Sequence, residues 1–215
     1  MISEQYIALQ RFQKVLTKDM RRFPIRRIAF TTPAETRAAL VDEARELAEA
    51  AVAAGDFGPA LAFVAAQLAA QPERSDVVHD LLAHLAEQMI SLNKQRGDEM
   101  RGFLAWLERE AGAKIDDLTG KSQLRNYPGD YQKGEAPLTF DGLLAILRKN
   151  GRKLAVDPSK RAFQERLKAE HGASLAILLP LKARLAATDR IIDQVVYRLY
   201  GLTEEEIAVV EGRSH

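Results

Sequence analysis

Apolar residues recur at spacings of three and four along most of this chain, the pattern of helices with one buried face. Tyr6, Leu9, Phe12 and Leu16 predict a helix over 3–20. In RRFPIRRIAF, at 21–30, the pattern changes: Phe23, Ile25, Ile28 and Phe30 are interleaved with Arg22, Arg26 and Arg27. Pro24 forbids an ordinary helix interior, so this stretch reads as extended. Phe23 and Ile25 would anchor it, leaving Arg22 and Arg26 on a shared face. Thr32-Pro33-Ala34-Glu35 then reads as a helix start, with Thr at the N-cap, Pro at N1 and Glu at N3. An Ala-rich, acidic helix runs to about Ala54 and is broken by Gly55-Asp56; Gly58-Pro59 opens a second, to about Ala70. After a turn over Pro72–Ser75, Val77, Leu81, Leu82, Leu85, Met89 and Leu92 make a stripe from Asp76 to about Gln95. Met100, Phe103, Leu104 and Leu107 carry it past Gly97 to Glu110.

The period is lost over 112–138, which Gly112, Gly120, Pro128, Gly129, Gly134 and Pro137 punctuate. Long irregular segments of this kind tend to be functional or mobile. A short helix is predicted from Thr139 to Asn150, stopped by Gly151. Asp157-Pro158 would cap a long helix running towards Ala187, kinked or split at His171-Gly172 and Pro180. From Thr188, Ile191, Ile192, Val195, Val196 and Leu199 form a last stripe. Gly201 can turn left-handed and stop it with Leu202 packed back, and Thr203 with Glu206 has capping-box spacing. The expected fold is mainly α: a helical bundle with a long irregular segment near 112–138 and little or no β. Along the chain this divides as an N-terminal helix and basic extended segment (1–32), the bundle (33–111), the irregular segment (112–138), and C-terminal helices packing on the bundle (139–215).

Composition narrows the class. A length of 215 residues allows a sizeable core. Without cysteine there are no disulfides or Cys-based zinc sites, which favours a cytoplasmic location. No run is long enough to span a membrane, and Glu4, Gln5, Gln10 and Arg11 interrupt any signal-peptide core. The net charge of +1 conceals an uneven distribution. Residues 1–33 hold seven Lys/Arg against two acids, 34–111 fourteen acids against seven Lys/Arg, and 144–168 eight Lys/Arg against two acids. Basic blocks of this size can meet phosphate.

Motifs for catalysis are missing. His79 and His84 are five apart, off a common helix face, and do not read as a zinc pair. His215 is terminal. Thr119-Gly120-Lys121-Ser122 lacks the earlier glycine of a phosphate loop. Asp116 and Asp117 are adjacent, so they point apart and suit a turn better than an acid–base pair. Asn126-Tyr127-Pro128-Gly129 lacks the Pro-Pro-aromatic core with which adenine methyltransferases hold a flipped base. Glu165 and Lys168 stand one residue too far apart for a metal-dependent nuclease motif.

Five stretches together carry a resemblance: FPIRRIAFTTPAE at 23–35, HDLLAHLAEQMISLNK at 79–94, FLAWLEREAGAKIDDLTGKSQLRNY at 103–127, DPSKRAFQERL at 157–167 and TDRIIDQVVYRLYGLTEEEI at 188–207. In order and spacing they resemble the C-terminal helical region of type IIG restriction–modification enzymes and adenine-specific (N6) DNA methyltransferases. The resemblance implies a part that positions double-stranded DNA beside a methyltransferase or restriction polypeptide, in the cytoplasm and off the membrane. It implies no catalytic residue and no cofactor in this chain, S-adenosylmethionine belonging to the catalytic part. The chain then reads as a separated subunit, a truncated gene product or an excised domain. From the residues themselves, the DNA-binding candidates are Arg21, Arg22, Arg26 and Arg27, then Lys121 and Arg125 in the irregular segment, then Lys149, Arg152 and Lys153 near a helix C-terminus. Cations at a helix C-terminus are also favourable for structural reasons alone. The alternative class is a protein-interaction module docking on such a polypeptide without touching DNA.

Overall fold

The computed structural model describes residues 25–213; the predicted helix at 3–20, Arg21, Arg22 and Phe23 lie outside them. The described residues form seven α-helices and no strand: α1 Ala34–Ala54, α2 Gly58–Ala69, α3 Ser75–Ala111, α4 Lys121–Arg125, α5 Phe140–Lys149, α6 Arg161–Tyr200 and α7 Glu204–Val210. The mainly α expectation holds. Two 3-10 turns, Ile115–Asp117 and Gly151–Lys153, precede α4 and follow α5.

The chain forms two compact units. The first holds the described residues up to His84 and those from Arg190; the second is Leu85–Asp189. The boundaries expected at 111/112 and 138/139 both fall inside the second unit.

In the first unit, α1 buries Val41, Ala44, Ala48 and Ala51, and α2 buries Ala60, Leu61 and Val64. Alanine at these steps lets the two helices approach closely at little entropic cost. Segment 25–33 is extended, as expected, but is tied down differently. Ile25 is 77% exposed and anchors nothing. The ties are polar and aromatic instead. The Arg26 guanidinium donates to the Leu199 carbonyl and pairs with Glu73. The Phe30 ring meets His79 edge-on at 5.2 Å and lies under the Arg37 guanidinium. Thr32, expected as the α1 N-cap, makes no cap: Pro33 holds that position, its carbonyl accepting the Arg37 N–H. Thr32 instead donates its N–H and hydroxyl to the fully buried Asp76 carboxylate, at 2.9 and 2.7 Å. A charged acceptor outcompetes local capping because hydrogen bonds to ionised groups are the stronger kind.

The C-terminal turn follows its sequence signals. Gly201 is left-handed (φ 63°), its N–H reaching the Arg198 carbonyl and that of Leu202 the Tyr197 carbonyl. Thr203 and Glu206 form the reciprocal capping box of α7. What precedes the turn differs from expectation. The helix begins at Arg161, with Asp157 capping only a turn through Ser159 N–H, and runs unbroken to Tyr200. His171-Gly172 and Pro180 do not split it. Pro180 and Ala176, whose carbonyl loses its helix partner, are both exposed, so that carbonyl is open to solvent. Thr188 is buried mid-helix rather than starting one.

Segment 112–138 is irregular over most of its length, as expected, but it is not loose. That segment carries a 3-10 turn and α4, and it supplies core residues Ile115, Leu118, Leu124 and Tyr127. They pack with Phe103 and Leu107 of α3, Leu143, Leu144 and Leu147 of α5, and Phe163, Leu167 and Leu178 of α6. Short helical turns are too brief to show a period, so the glycines dominated the pattern.

Candidate nucleic-acid interface

Helix α5 starts with Thr139 accepting the Gly142 N–H at 3.1 Å and buries a Leu143–Leu144–Leu147 stripe. Its polar side therefore emerges at its end as Arg148 and Lys149, followed by Arg152 and Lys153 in the 3-10 turn; all four are exposed. Between the pairs sits Asn150, which is buried. Its side-chain oxygen accepts the Thr119 N–H at 2.9 Å. Its amide donates to the Thr119 carbonyl at 2.9 Å and to the Ile146 carbonyl at 2.8 Å. One neutral side chain thus joins the basic end of α5 to the segment holding Lys121 and Arg125.

Three candidates converge on the Asp116–Asp117 turn there. Lys153 Nζ donates to the Asp117 carbonyl at 2.6 Å, Lys121 Nζ to the Asp116 carbonyl at 3.3 Å, and Arg125 pairs with the Asp116 carboxylate. The side chains of Lys149 and Arg152 make no hydrogen bond or ion pair among the described residues. The corner therefore brings Lys121, Arg125 and Lys153 to the Asp116–Asp117 turn, with Arg148, Lys149 and Arg152 exposed on the elements that Asn150 joins to it. This surplus of positive charge on rigid short elements suits phosphate oxygens, which take both Lys and Arg without regard to base sequence.

The N-terminal candidates fare differently. Arg26 is engaged with Leu199 and Glu73, and a phosphate would have to displace both. Arg27 is exposed and has no partner among the described residues. Nothing in the sequence distinguished these neighbours. Asn150 was also missed as a site residue: an Asn-Gly pair after a basic helix end reads only as a stop.

Two other clusters bear on chemistry. In the core of the second unit the Tyr127 hydroxyl donates to Ser174 Oγ at 2.6 Å, and Ser174 donates onward to Glu99 at 2.6 Å. Burial pushes the Tyr127 hydroxyl up to about 12. The serine proton is committed to a carboxylate and its oxygen to tyrosine, so Ser174 is held rather than activated. His171 lies beside this chain, its ring centroid 5.8 Å from Phe103 and 6.0 Å from Tyr127, and its Nε2 has no partner. Burial holds its pKa below 6.5, against the raising effect of a hydrogen bond with the Leu138 backbone. The folded chain therefore refuses a proton that the unfolded chain takes up below about 6.5. Stability from this site is complete above that pH and is lost as pH falls towards the depressed folded value. Urea midpoints should drop between neutral pH and mildly acid pH, and His171→Leu should flatten that drop. An unchanged slope in the variant would show that another group carries it.

In the first unit a shallow groove of about 230 Å³ is lined by Arg37, Val41, Asp42, Arg45 and Asp80. Its charges pair off, Arg37 with Asp80 at 3.2 Å and Arg45 with Asp42 at 3.3 Å, leaving no net charge to select a ligand. Among the described residues no group of three His, Asp or Glu is placed to hold a metal, and no helix is long and apolar enough to cross a membrane. Compared with protein-family models, curated proteins and solved structures, the chain matches none.

Proposed function

We propose that this chain is a non-catalytic DNA-positioning module of a type IIG-like restriction–modification or adenine-specific DNA methyltransferase system. The observation that carries this reading is the Asn150-clamped junction of two basic elements, one ending in the uncommitted Lys149 and Arg152, the other holding Lys121 and Arg125. The sequence resemblance supplies the system; the corner supplies a surface suited to the backbone of double-stranded DNA. Its contacts would fix register rather than read bases. Methyl transfer, with S-adenosylmethionine, belongs to a separate catalytic polypeptide, and the site of action is the cytoplasm.

The test is duplex binding by fluorescence anisotropy across a salt series, alone and with the methyltransferase polypeptide. Log affinity should fall linearly with log salt. Lys149→Ala with Arg152→Ala should reduce that slope by about two and weaken binding at every duplex sequence alike. Arg26→Ala should change the slope little, because that charge is engaged within the first unit. A chain that ignores duplex at low salt yet binds the catalytic polypeptide would overturn this reading in favour of a docking module without DNA contact.

A further inference from the structure

Helix α6 turns one face inward across the second unit, at His171, Ser174, Leu178 and Leu185. The opposite face has no partner among the described residues. Ala173, Ala176, Ile177 and Pro180 are all exposed there, and Ile177, the largest of them, is 51% exposed. Isolated exposed apolar residues are ordinary; a contiguous set along one helix face is not.

The charges bounding this face are ordered. Glu170 lies seven residues before Ile177 and Arg184 seven residues after it. Seven residues are close to two helical turns, so all three fall on one line along the helix, drifting by about 20° per step. Both charged residues are exposed, and neither makes a hydrogen bond or ion pair among the described residues. The face therefore reads acid, small apolar, isoleucine, small apolar, base.

We infer that this face binds a second copy of the same chain, with the two α6 helices antiparallel about a two-fold axis at Ile177. In that arrangement the Ile177 side chains meet at the centre. Glu170 of each copy faces Arg184 of the other, giving two ion pairs at the rim. A parallel pairing would set Glu170 on Glu170 and Arg184 on Arg184. The sequence is self-complementary only in the antiparallel sense, which is the condition for an isologous dimer. Alanine at 173 and 176 lets two helices approach closely. A single helix pair buries less than a standard interface, so the dimer is weak and concentration-dependent.

Sedimentation equilibrium of the full chain, from micromolar to near-millimolar concentration, tests this. A monomer–dimer equilibrium is expected. Ile177→Glu should abolish it, and Glu170→Arg or Arg184→Glu should each weaken it about tenfold or more. The two single charge-reversal variants, mixed, should form a heterodimer that neither forms alone, and the double reversal within one chain should restore the homodimer. Misfolding cannot produce that recovery. A chain that stays monomeric at the highest concentration, a dimer indifferent to Ile177→Glu, or a mixture no more associated than its components would overturn the inference.

Discussion

Gly129→Ala is expected to destabilise the second unit by about 4 kcal/mol. Two terms combine. Gly129 has φ of +76°, where an L side chain costs roughly 1–2 kcal/mol. The added Cβ would also lie 2.7 Å from the Ala136 carbonyl oxygen and nearer still to that of Glu135. Those oxygens belong to a loop that cannot easily retreat. Lys182 of α6 donates to the carbonyls of Pro128 and Glu135, Glu135 N–H donates to the Asp130 carbonyl, and Leu138 N–H donates to that of buried Tyr127 at 2.7 Å. Overpacking against fixed backbone adds about 1–3 kcal/mol. Gly134→Ala is the control: its φ is +64°, but nothing lies within 4 Å of the new Cβ, so about 1 kcal/mol is expected. Thermal unfolding of the two variants checks both numbers, and equal shifts would show that the close approach at Gly129 contributes nothing.

Asp76→Ala is expected to destabilise the first unit by about 3 kcal/mol. The carboxylate is the sole acceptor shown for the Thr32 N–H and hydroxyl and also accepts the Val77 N–H at 3.0 Å. Removing it strands buried donors, each costing roughly 1–3 kcal/mol before water or rearrangement recovers part. Thr32→Val keeps the carboxylate and loses only the hydroxyl, so about 1.5 kcal/mol is expected. The pH dependence has a definite sign. Burial alone would raise the Asp76 carboxyl, but the Thr32 hydroxyl, the Thr32 and Val77 N–H groups and the nearby Arg37 together hold it below 3.8. A depressed carboxyl contributes stability above its unfolded value and loses it as pH falls through the folded one. The gap between wild type and Asp76→Ala should therefore be full at neutral pH and shrink below about 3.8. A gap independent of pH would assign the loss to packing instead.

These two sites also show where the sequence was readable. Start and stop signals marked out α1, α2 and α5, and a long periodic stripe α3, to within a residue or two, and Gly201 with Thr203 and Glu206 gave the last turn in detail. Such features are local: period, glycine and cap lie within a few positions of one another. Thr32 misled because its decisive partner is 44 residues away, and a cap rule sees only the next three. Segment 112–138 is irregular as expected, but its core role was hidden: density of glycine suggests looseness, whereas here tight turns pack Leu124 and Tyr127. A split at Pro180 does not occur, because its cost depends on whether the orphaned carbonyl can reach solvent, which the sequence does not state. Among the site residues, charge was visible but engagement was not. Arg26 and Arg27 are equivalent as letters, and only the fold ties one to Glu73 and leaves the other exposed.

The scaffold of the basic corner is clamped by Asn150, whose three hydrogen bonds all join neutral groups. Dissolved ions weaken charge–charge attraction but leave amide–carbonyl bonds nearly untouched. The attachment of the α5 end to Thr119 is therefore held by bonds that ionic strength hardly affects. The exposed Arg125–Asp116 pair beside it is screened by salt, so rising ionic strength should loosen that pair while the Asn150 junction stays in place.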